Sequence, residues 1–235
     1  MKFTWIGQGG FIFESEGVRL VVDPYLSNIV EQKEGRTRIM NNPVSIKELR
    51  PDAIFCTHDH LDHFDPETVP EIIRNFSSCF VAGPESVGKK CAEFGIPNER
   101  FKEICKGESI NIGPFKITAV EALHSDKCAV GAIIENNGKR IYLSGDSEYS
   151  DDLAKDVLTK SDSIDMVLIC INGRLGNMNL QDALKTVESI APTQALPMHY
   201  GLFAENTVDP QPFIKACNEA GIKSFEMIPG KEYEL

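Results

Sequence analysis

Residues 53–63 read Ala53-Ile54-Phe55-Cys56-Thr57-His58-Asp59-His60-Leu61-Asp62-His63. A short apolar run of buried-strand type leads straight into three histidines and two aspartates. Packing or solubility does not account for a pattern of the form H-x-H-x-D-H, whereas imidazole and carboxylate are natural ligands for zinc and similar divalent ions. The chain has five histidines. The other two, His124 and His199, also follow runs that read as strands. Between them in sequence lies Asp146, in Leu143-Ser144-Gly145-Asp146-Ser147. A lone histidine after a strand is more often packed or exposed than ligating, and a lone Gly-Asp-Ser is usually a turn. The dense run is what raises the standing of all three.

Two ions about 3.5–4 Å apart can hold a hydroxide between them. His58 and His60 can reach one ion, and Asp62 and His63 the other. His124 could complete the first set and His199 the second, with Asp146 as the bridge. The expected chemistry is hydrolysis, with the bridging hydroxide attacking an ester-like carbonyl and Asp62 or Asp146 moving a proton. Asp59 is expected to be a solvated loop residue.

Outward from the run, Lys2–Ile6, Phe11–Glu14 and Val18–Val22 read as strands. Gly7-Gln8-Gly9-Gly10 between the first two is a tight turn, since it lacks the third glycine of a dinucleotide loop and a strand follows it. Segment Ser27–Asn42, with Lys33, Arg36 and Arg38, reads as a polar surface loop that could cover a site. Ser45 and Glu48 have capping-box form. Asp65-Pro66 opens a helix running to about Phe76, and Pro84–Phe94 forms another, stopped at Gly95. Strands follow at about Ser109–Ile112, Phe115–Ala122, Ala129–Glu135 and Arg140–Leu143, the last two joined by the hairpin signal Asn137-Gly138. Asp151–Leu158 reads as a helix and Met166–Ile171 as a buried strand. Asn179 caps a helix with Leu180, Ala183, Leu184, Val187 and Ile190 on one face. Ala195–Met198 is a strand, Asp209-Pro210 opens a last helix, and Ser224–Ile228 is expected as a last strand. The pattern predicts an α/β fold in which two packed sheets carry helices outside, a four-layer αβ/βα sandwich, as a single domain over 1–235.

The bulk numbers agree. Hydrophobic residues are 42% of the 235, enough for a sizeable core. No apolar run approaches the ~20 residues that span a bilayer, and the N-terminus lacks the apolar stretch of a secretory signal, so a cytoplasmic protein without a membrane partner is expected. Seven cysteines without a C-x-x-C pair read as reduced thiols, with Cys56 and Cys170 in the core. A net charge of −11 argues against long nucleic acid as substrate and favours a small molecule.

The run from Thr57 to His63, the later His124, the Gly145-Asp146 turn and the Pro197-Met198-His199 ending resemble the metallo-β-lactamase superfamily. The resemblance implies the αβ/βα sandwich with a dinuclear site at one edge. It implies His58, His60 and His124 on one ion, Asp62, His63 and His199 on the other, and Asp146 between them. It also implies that Asp23, ending the third strand, orients a ligand through hydrogen bonds. Within the superfamily the chain looks most like the L-ascorbate-6-phosphate lactonase group, through Trp5-Ile6-Gly7-Gln8-Gly9-Gly10-Phe11, Ser144-Gly145-Asp146-Ser147, Ile171-Asn172-Gly173-Arg174 and Asn177-Met178-Asn179. That implies a small, phosphorylated or unphosphorylated, sugar lactone as substrate, and is compatible with a homo-oligomer. Arg174 with Asn172 and Asn177 could bind a substrate phosphate or carboxylate, or could simply form a polar loop before the next helix. The alternatives are a metal-dependent phosphodiesterase and, less favoured, a metal-binding protein without turnover. Zinc and manganese are the leading ions, and the carboxylates admit iron.

Overall fold

A computed structural model describes residues 1–235. Its first sheet has seven strands. These are β1 (Lys2–Gly7), β2 (Gly10–Ser15), β3 (Val18–Val22), β4 (Ala53–Phe55), β5 (Phe80–Gly83), β6 (Phe101–Glu103) and, far along the chain, β13 (Glu232–Glu234). Their order is β13-β1-β2-β3-β4-β5-β6. The second sheet has six, β7 (Ser109–Ile112), β8 (Phe115–Glu121), β9 (Val130–Asn136), β10 (Lys139–Leu143), β11 (Met166–Cys170) and β12 (Gln194–Met198), ordered β12-β11-β10-β9-β8-β7. The helices are α1 (Ile29–Glu34), α2 (Ile46–Leu49), α3 (Thr68–Asn75), α4 (Glu85–Glu93), α5 (Asp151–Lys160), α6 (Leu180–Ile190) and α7 (Gln211–Glu219). None is long and apolar enough to cross a membrane.

Strand side chains alternate between faces, and that alternation sorts the core. Leu20, Val22, Ala53, Phe55 and Ala82 of the first sheet join one large cluster with Ala119, Ala132, Ile134 and Leu168 of the second. The intervening Val21, Ile54 and Val81 face the other way, onto Leu49, Val69, Ile72 and Val87 of α2, α3 and α4. On the far side of the second sheet, α5 packs on β8, α6 on β11 and α7 on β12. β11 is buried along its whole length, as a parallel strand covered on both faces should be. Helix, sheet, sheet and helix therefore form the four layers expected.

Local signals locate most elements. Ser45 and Glu48 form the capping box. Asn137 and Gly138 both have positive φ, 50° and 74°, as the hairpin joining β9 to β10 requires. Asn179 caps α6, its side chain accepting from Asp182 N at 3.0 Å. Asp65 accepts from Glu67 N and Thr68 N at 2.9 and 3.1 Å, although the helix it opens starts at Thr68 and not at Pro66.

Two expectations are corrected, and two short strands are added. Residues 224–228 are not a strand. Asn218 takes both the N–H and the C=O of Ser224, so that backbone is satisfied by a side chain, and the edge of the first sheet is closed by β13 instead. Segment 27–42 is not all loop: Ile29 and Val30 are buried beside Tyr25, Leu202 and Phe203, and this small cluster supports α1. Strands β5 and β6 were not legible, being three or four residues long.

The topology fixes where the strands end. β3, β4, β5 and β6 run parallel, as do β10, β11 and β12. β8 shares the β10 direction because both are antiparallel to β9. Asp23 follows β3, the histidine run follows β4, and His124, Asp146, Asn172 and His199 follow β8, β10, β11 and β12. All six leave carboxyl ends of strands, where α/β sheets habitually place ligands.

Candidate metal centre

Three overlapping groups of ligating atoms converge at this edge, each with its atoms within 4.8 Å of one another: His58, His60 and His124; His58, His63 and Asp146; and Asp62, His63 and His199. Asp146 lies in the middle. Its Oδ1 is 3.2 Å from His63 Nε2 and 3.1 Å from His199 Nε2, and its Oδ2 is 3.8 Å from His124 Nε2. One carboxylate thus turns one oxygen toward each histidine set.

The ligating atoms are aimed by their neighbours. Asp23 Oδ2 lies 2.8 Å from His63 Nδ1 and leaves His63 Nε2 facing the cluster. Asp23 is held in turn by Thr57, whose N–H donates to Oδ1 at 2.8 Å and whose hydroxyl donates to Oδ2 at 2.7 Å. His124 Nδ1 is 3.1 Å from the Gly176 carbonyl, which frees its Nε2. Such contacts set ring tautomer and orientation in metal sites. Asp23 and His199 adopt positive φ, 42° and 63°. Backbone strain of this kind at non-glycine residues concentrates at functional sites.

The donor set fits divalent cations on two counts. His58 Nε2 is buried without a hydrogen bond, a cost that a cation would remove. The mixture of imidazole nitrogen and carboxylate oxygen also suits zinc, manganese or iron. The electrostatics point the same way. Burial, with His63 nearby, pushes the His58 imidazole far below its usual range, so it is a neutral donor. For His199, burial is outweighed by Asp146 and Asp62, and its pKa rises to about 9. For His63 burial is likewise overcome, by Asp146, Asp23 and Asp62. Burial of Asp62 and Asp146 is overridden by the same two imidazoles, which keep both carboxylates ionised. Protons on His63 and His199 therefore occupy the electrostatic role that a cation would take.

A cavity of about 260 Å³ opens over this cluster, lined by Glu34, Arg36, Leu175 and Asn206 besides the ligating side chains. A second hollow of about 540 Å³ shares His124, Ser125 and Leu175 with it. Segment 27–42 thus does reach the site, through Glu34 and Arg36, which pair at 2.5 Å.

The loop after β11 is arranged differently from a simple anion cradle. Asn177 is buried and its Nδ2 donates to Asp146 Oδ2 at 2.9 Å and to Asn172 Oδ1 at 3.1 Å. Asn172 Nδ2 donates to Asn206 Oδ1 at 2.8 Å. These two asparagines brace the central carboxylate. Arg174 is exposed, donates to the Glu205 carbonyl at 3.2 Å, and lines a separate hollow with Glu148, Tyr149 and Asp182. Asp59 stands outside the three ligating groups, its N–H 3.3 Å from Asp126 Oδ2.

Gln8 and Thr57 contribute to the site without having been singled out. Gln8 is fully buried, and its Nε2 donates to Asp62 Oδ2 at 2.8 Å. In its turn, a Cβ on Gly9 would lie 2.8 Å from His63 Cε1, so only glycine admits the ring there.

A family model described as a beta-lactamase superfamily domain matches residues 18–200. The chain is 29% identical over 247 residues to a UPF0173 metal-dependent hydrolase of Methanopyrus kandleri, covering 100% of both. It is 29% identical over 223 residues to a UPF0173 protein of Pyrococcus furiosus, covering 94% of this chain and 93% of the relative. Among solved structures, Igni18, a metallo hydrolase from Ignicoccus hospitalis, matches with a TM-score of 0.82 at 23% identity, covering 100% of this chain and 98% of that one. An isothiocyanate hydrolase from Delia radicum gut bacteria gives 0.78 at 19%, covering 100% and 99%. At such identities these two structures speak for the fold.

Proposed function

Because this chain belongs to the metallo-β-lactamase superfamily, we propose that it is a metal-dependent hydrolase with a two-ion centre that opens a small ester or lactone. A sugar lactone with an anionic substituent is the leading substrate class. The observation that carries the reading is Asp146, one buried carboxylate whose two oxygens face two different histidine sets. The full-length relative named as a metal-dependent hydrolase supports it.

In this reading His58, His60 and His124 hold one ion, Asp62, His63 and His199 hold the other, and Asp146 spans them. Bound there, divalent ions supply Lewis acidity and lower the pKa of water toward about 7. The chain does the rest. Asp23 and the Gly176 carbonyl fix the His63 and His124 rings. Asn177 restrains one oxygen of Asp146. Asp62 lines the cavity and, being ionised, can accept a proton and return it to the leaving oxygen. Arg36 is the one arginine or lysine lining the cavity and is placed to meet a carboxylate or phosphate on the substrate. The cavity volume of about 260 Å³ suits a sugar-sized molecule, and the net charge of −11 disfavours long nucleic acid.

Hydrolysis of a sugar-phosphate lactone and of a bis-aryl phosphodiester by metal-loaded protein tests the reading. Turnover of the lactone is expected. Turnover of the diester alone would replace the lactonase reading with a phosphodiesterase.

A further inference from the structure

We propose that Asn206 is a substrate-binding residue, whose side-chain NH₂ donates to an oxygen of the molecule held over the ions. The proposal rests on the two-ion hydrolase reading above and adds a donor to it.

Three buried asparagines connect Asp146 to the cavity. Asn177 Nδ2 lies 2.9 Å from Asp146 Oδ2 and 3.1 Å from Asn172 Oδ1. Asn172 Nδ2 lies 2.8 Å from Asn206 Oδ1 and 3.2 Å from the Arg174 carbonyl. The two ends of a carboxamide have nearly the same shape, so such a chain has a direction only where something fixes it. Two groups fix this one, and they agree. The Asp146 carboxylate only accepts, so Asn177 turns its NH₂ toward it. The Arg174 carbonyl also only accepts, so Asn172 turns its NH₂ toward Arg174 and Asn206. Asn206 therefore presents its oxygen to Asn172, and its NH₂ points elsewhere.

This direction is kept at a cost. Asn177 Oδ1 is buried and makes no hydrogen bond. A half-turn of Asn177 would not relieve it, because that oxygen would then face Asp146 Oδ2 and Asn172 Oδ1.

At the other end of the chain a donor is left over. Asn206 is 2% exposed and lines the cavity with Asp62, Asp146 and His199. Its Oδ1 is taken by Asn172. Its Nδ2 donates to no protein atom and is not among the sealed, unpartnered atoms, so the cavity is the space it meets. The backbone around it is clamped. Asn206 N–H donates to the Phe203 carbonyl at 3.2 Å. The Thr37 N–H and hydroxyl donate to the Glu205 carboxylate at 2.7 and 3.1 Å, and Arg174 donates to the Glu205 carbonyl. A donor fixed in advance meets a negatively charged oxygen without reorganisation.

Zinc-loaded protein freed of excess ion is titrated with inorganic phosphate by calorimetry, and bound metal is measured in each sample. Phosphate presents tetrahedral anionic oxygens, and no turnover is involved, so failure of the lactone reading leaves the result intact. Asn206→Asp keeps the acceptor for Asn172 and puts an oxygen in place of the donor. Asn206→Ala removes both. Each is expected to retain two ions per chain and to bind phosphate roughly 10–100-fold more weakly, as for loss of a hydrogen bond to a charged group. Asn172→Asp cannot donate, so Asn206 would turn its NH₂ inward. Adding Asn206→Ala to Asn172→Asp should then cost no further phosphate affinity. A residue that only braces Asp146 gives a different result: Asn206→Ala loses metal, and both variants bind phosphate as wild type does once loaded. That result, or an equal penalty for Asn206→Ala with and without Asn172→Asp, would overturn the proposal. Wild type that holds two ions and binds no phosphate would overturn it alone. Wild type that holds no ion would overturn it together with the two-ion reading.

Discussion

Asp146 gathers the site at the scale of single residues. It is 5% exposed, faces imidazoles on both sides and is tethered by Asn177. Asp146→Asn removes the negative charge shared by two sets of donors while keeping the shape. It should abolish lactone turnover and leave fewer than two ions per chain by elemental analysis; two retained ions with full turnover would remove Asp146 from its role. Asp23→Asn acts one step away, through the His63 ring. Loss of such an orienting partner costs about 10–100-fold in metal affinity, measurable by chelator competition. The protonated imidazoles supply a pH prediction. Without an ion, His63 is raised and His199 titrates near about 9, so both carry protons at neutral pH that an incoming cation must displace. Affinity should rise with pH through about 9, where His199 loses its proton, and binding should release protons, read by calorimetry in buffers of different ionisation enthalpy. A pH-independent affinity would contradict that electrostatic picture. The seven residues brought together at the centre were legible because five are histidines and four of the seven lie within six positions. Gln8 and Thr57 were not, and Asn177 was read as a substrate contact and not as a brace for Asp146, because a glutamine, a threonine or an asparagine acquires its role only when folding brings it to a carboxylate 30 to 60 residues away, as with Gln8 and Asp62 or Thr57 and Asp23.

Elements explain how distant residues meet. Each candidate ligand follows a strand, and parallel strands put those ends on one edge. Period-two alternation in β3, β4 and β5 sends Leu20, Phe55 and Ala82 between the sheets and Val21, Ile54 and Val81 toward the helices. That rhythm is visible in the sequence of β3 and of the run through β4, which is why the layers were; β5 was too short to read. The edges were less visible: β6 and β13 have three residues each, too few for a period, and residues 224–228 have strand-like composition, but Ser224 spends its backbone hydrogen bonds on Asn218 and the Ile228 N–H donates to the Tyr233 hydroxyl. The turn between β1 and β2 offers a test of the match between elements. Gly9→Ala places a methyl against the His63 ring and should weaken ion binding with secondary structure preserved by circular dichroism; unchanged affinity would show that the ring has room to move. Away from the site, Asn179→Ala removes the cap of α6 and should lower unfolding free energy by about 0.5–2 kcal/mol in a urea titration, with ion binding unaltered.

The whole molecule is two sheets back to back whose carboxyl edges meet over one cluster of imidazoles and carboxylates. The inter-sheet core and the helices fix that edge, and segment 27–42 and the loop after β11 form its rim. The same architecture is found in an isothiocyanate hydrolase and a metallo hydrolase; in the reading proposed above, the sandwich would position the ions and the rim would select the substrate. The rim was only partly legible: segment 27–42 was suspected of covering a site, but Arg36 rather than Arg174 lines the cavity, because side-chain direction at a loop depends on packing that sequence does not display. In the proposed mechanism, hydrolysis requires two ions. Protein stripped by a chelator and titrated with a single divalent metal, while lactone hydrolysis and bound metal are followed together, measures this directly. Activity absent in the stripped protein and complete only at two ions per chain is the expected result. Full activity in the stripped protein, or a plateau at one ion, would contradict it.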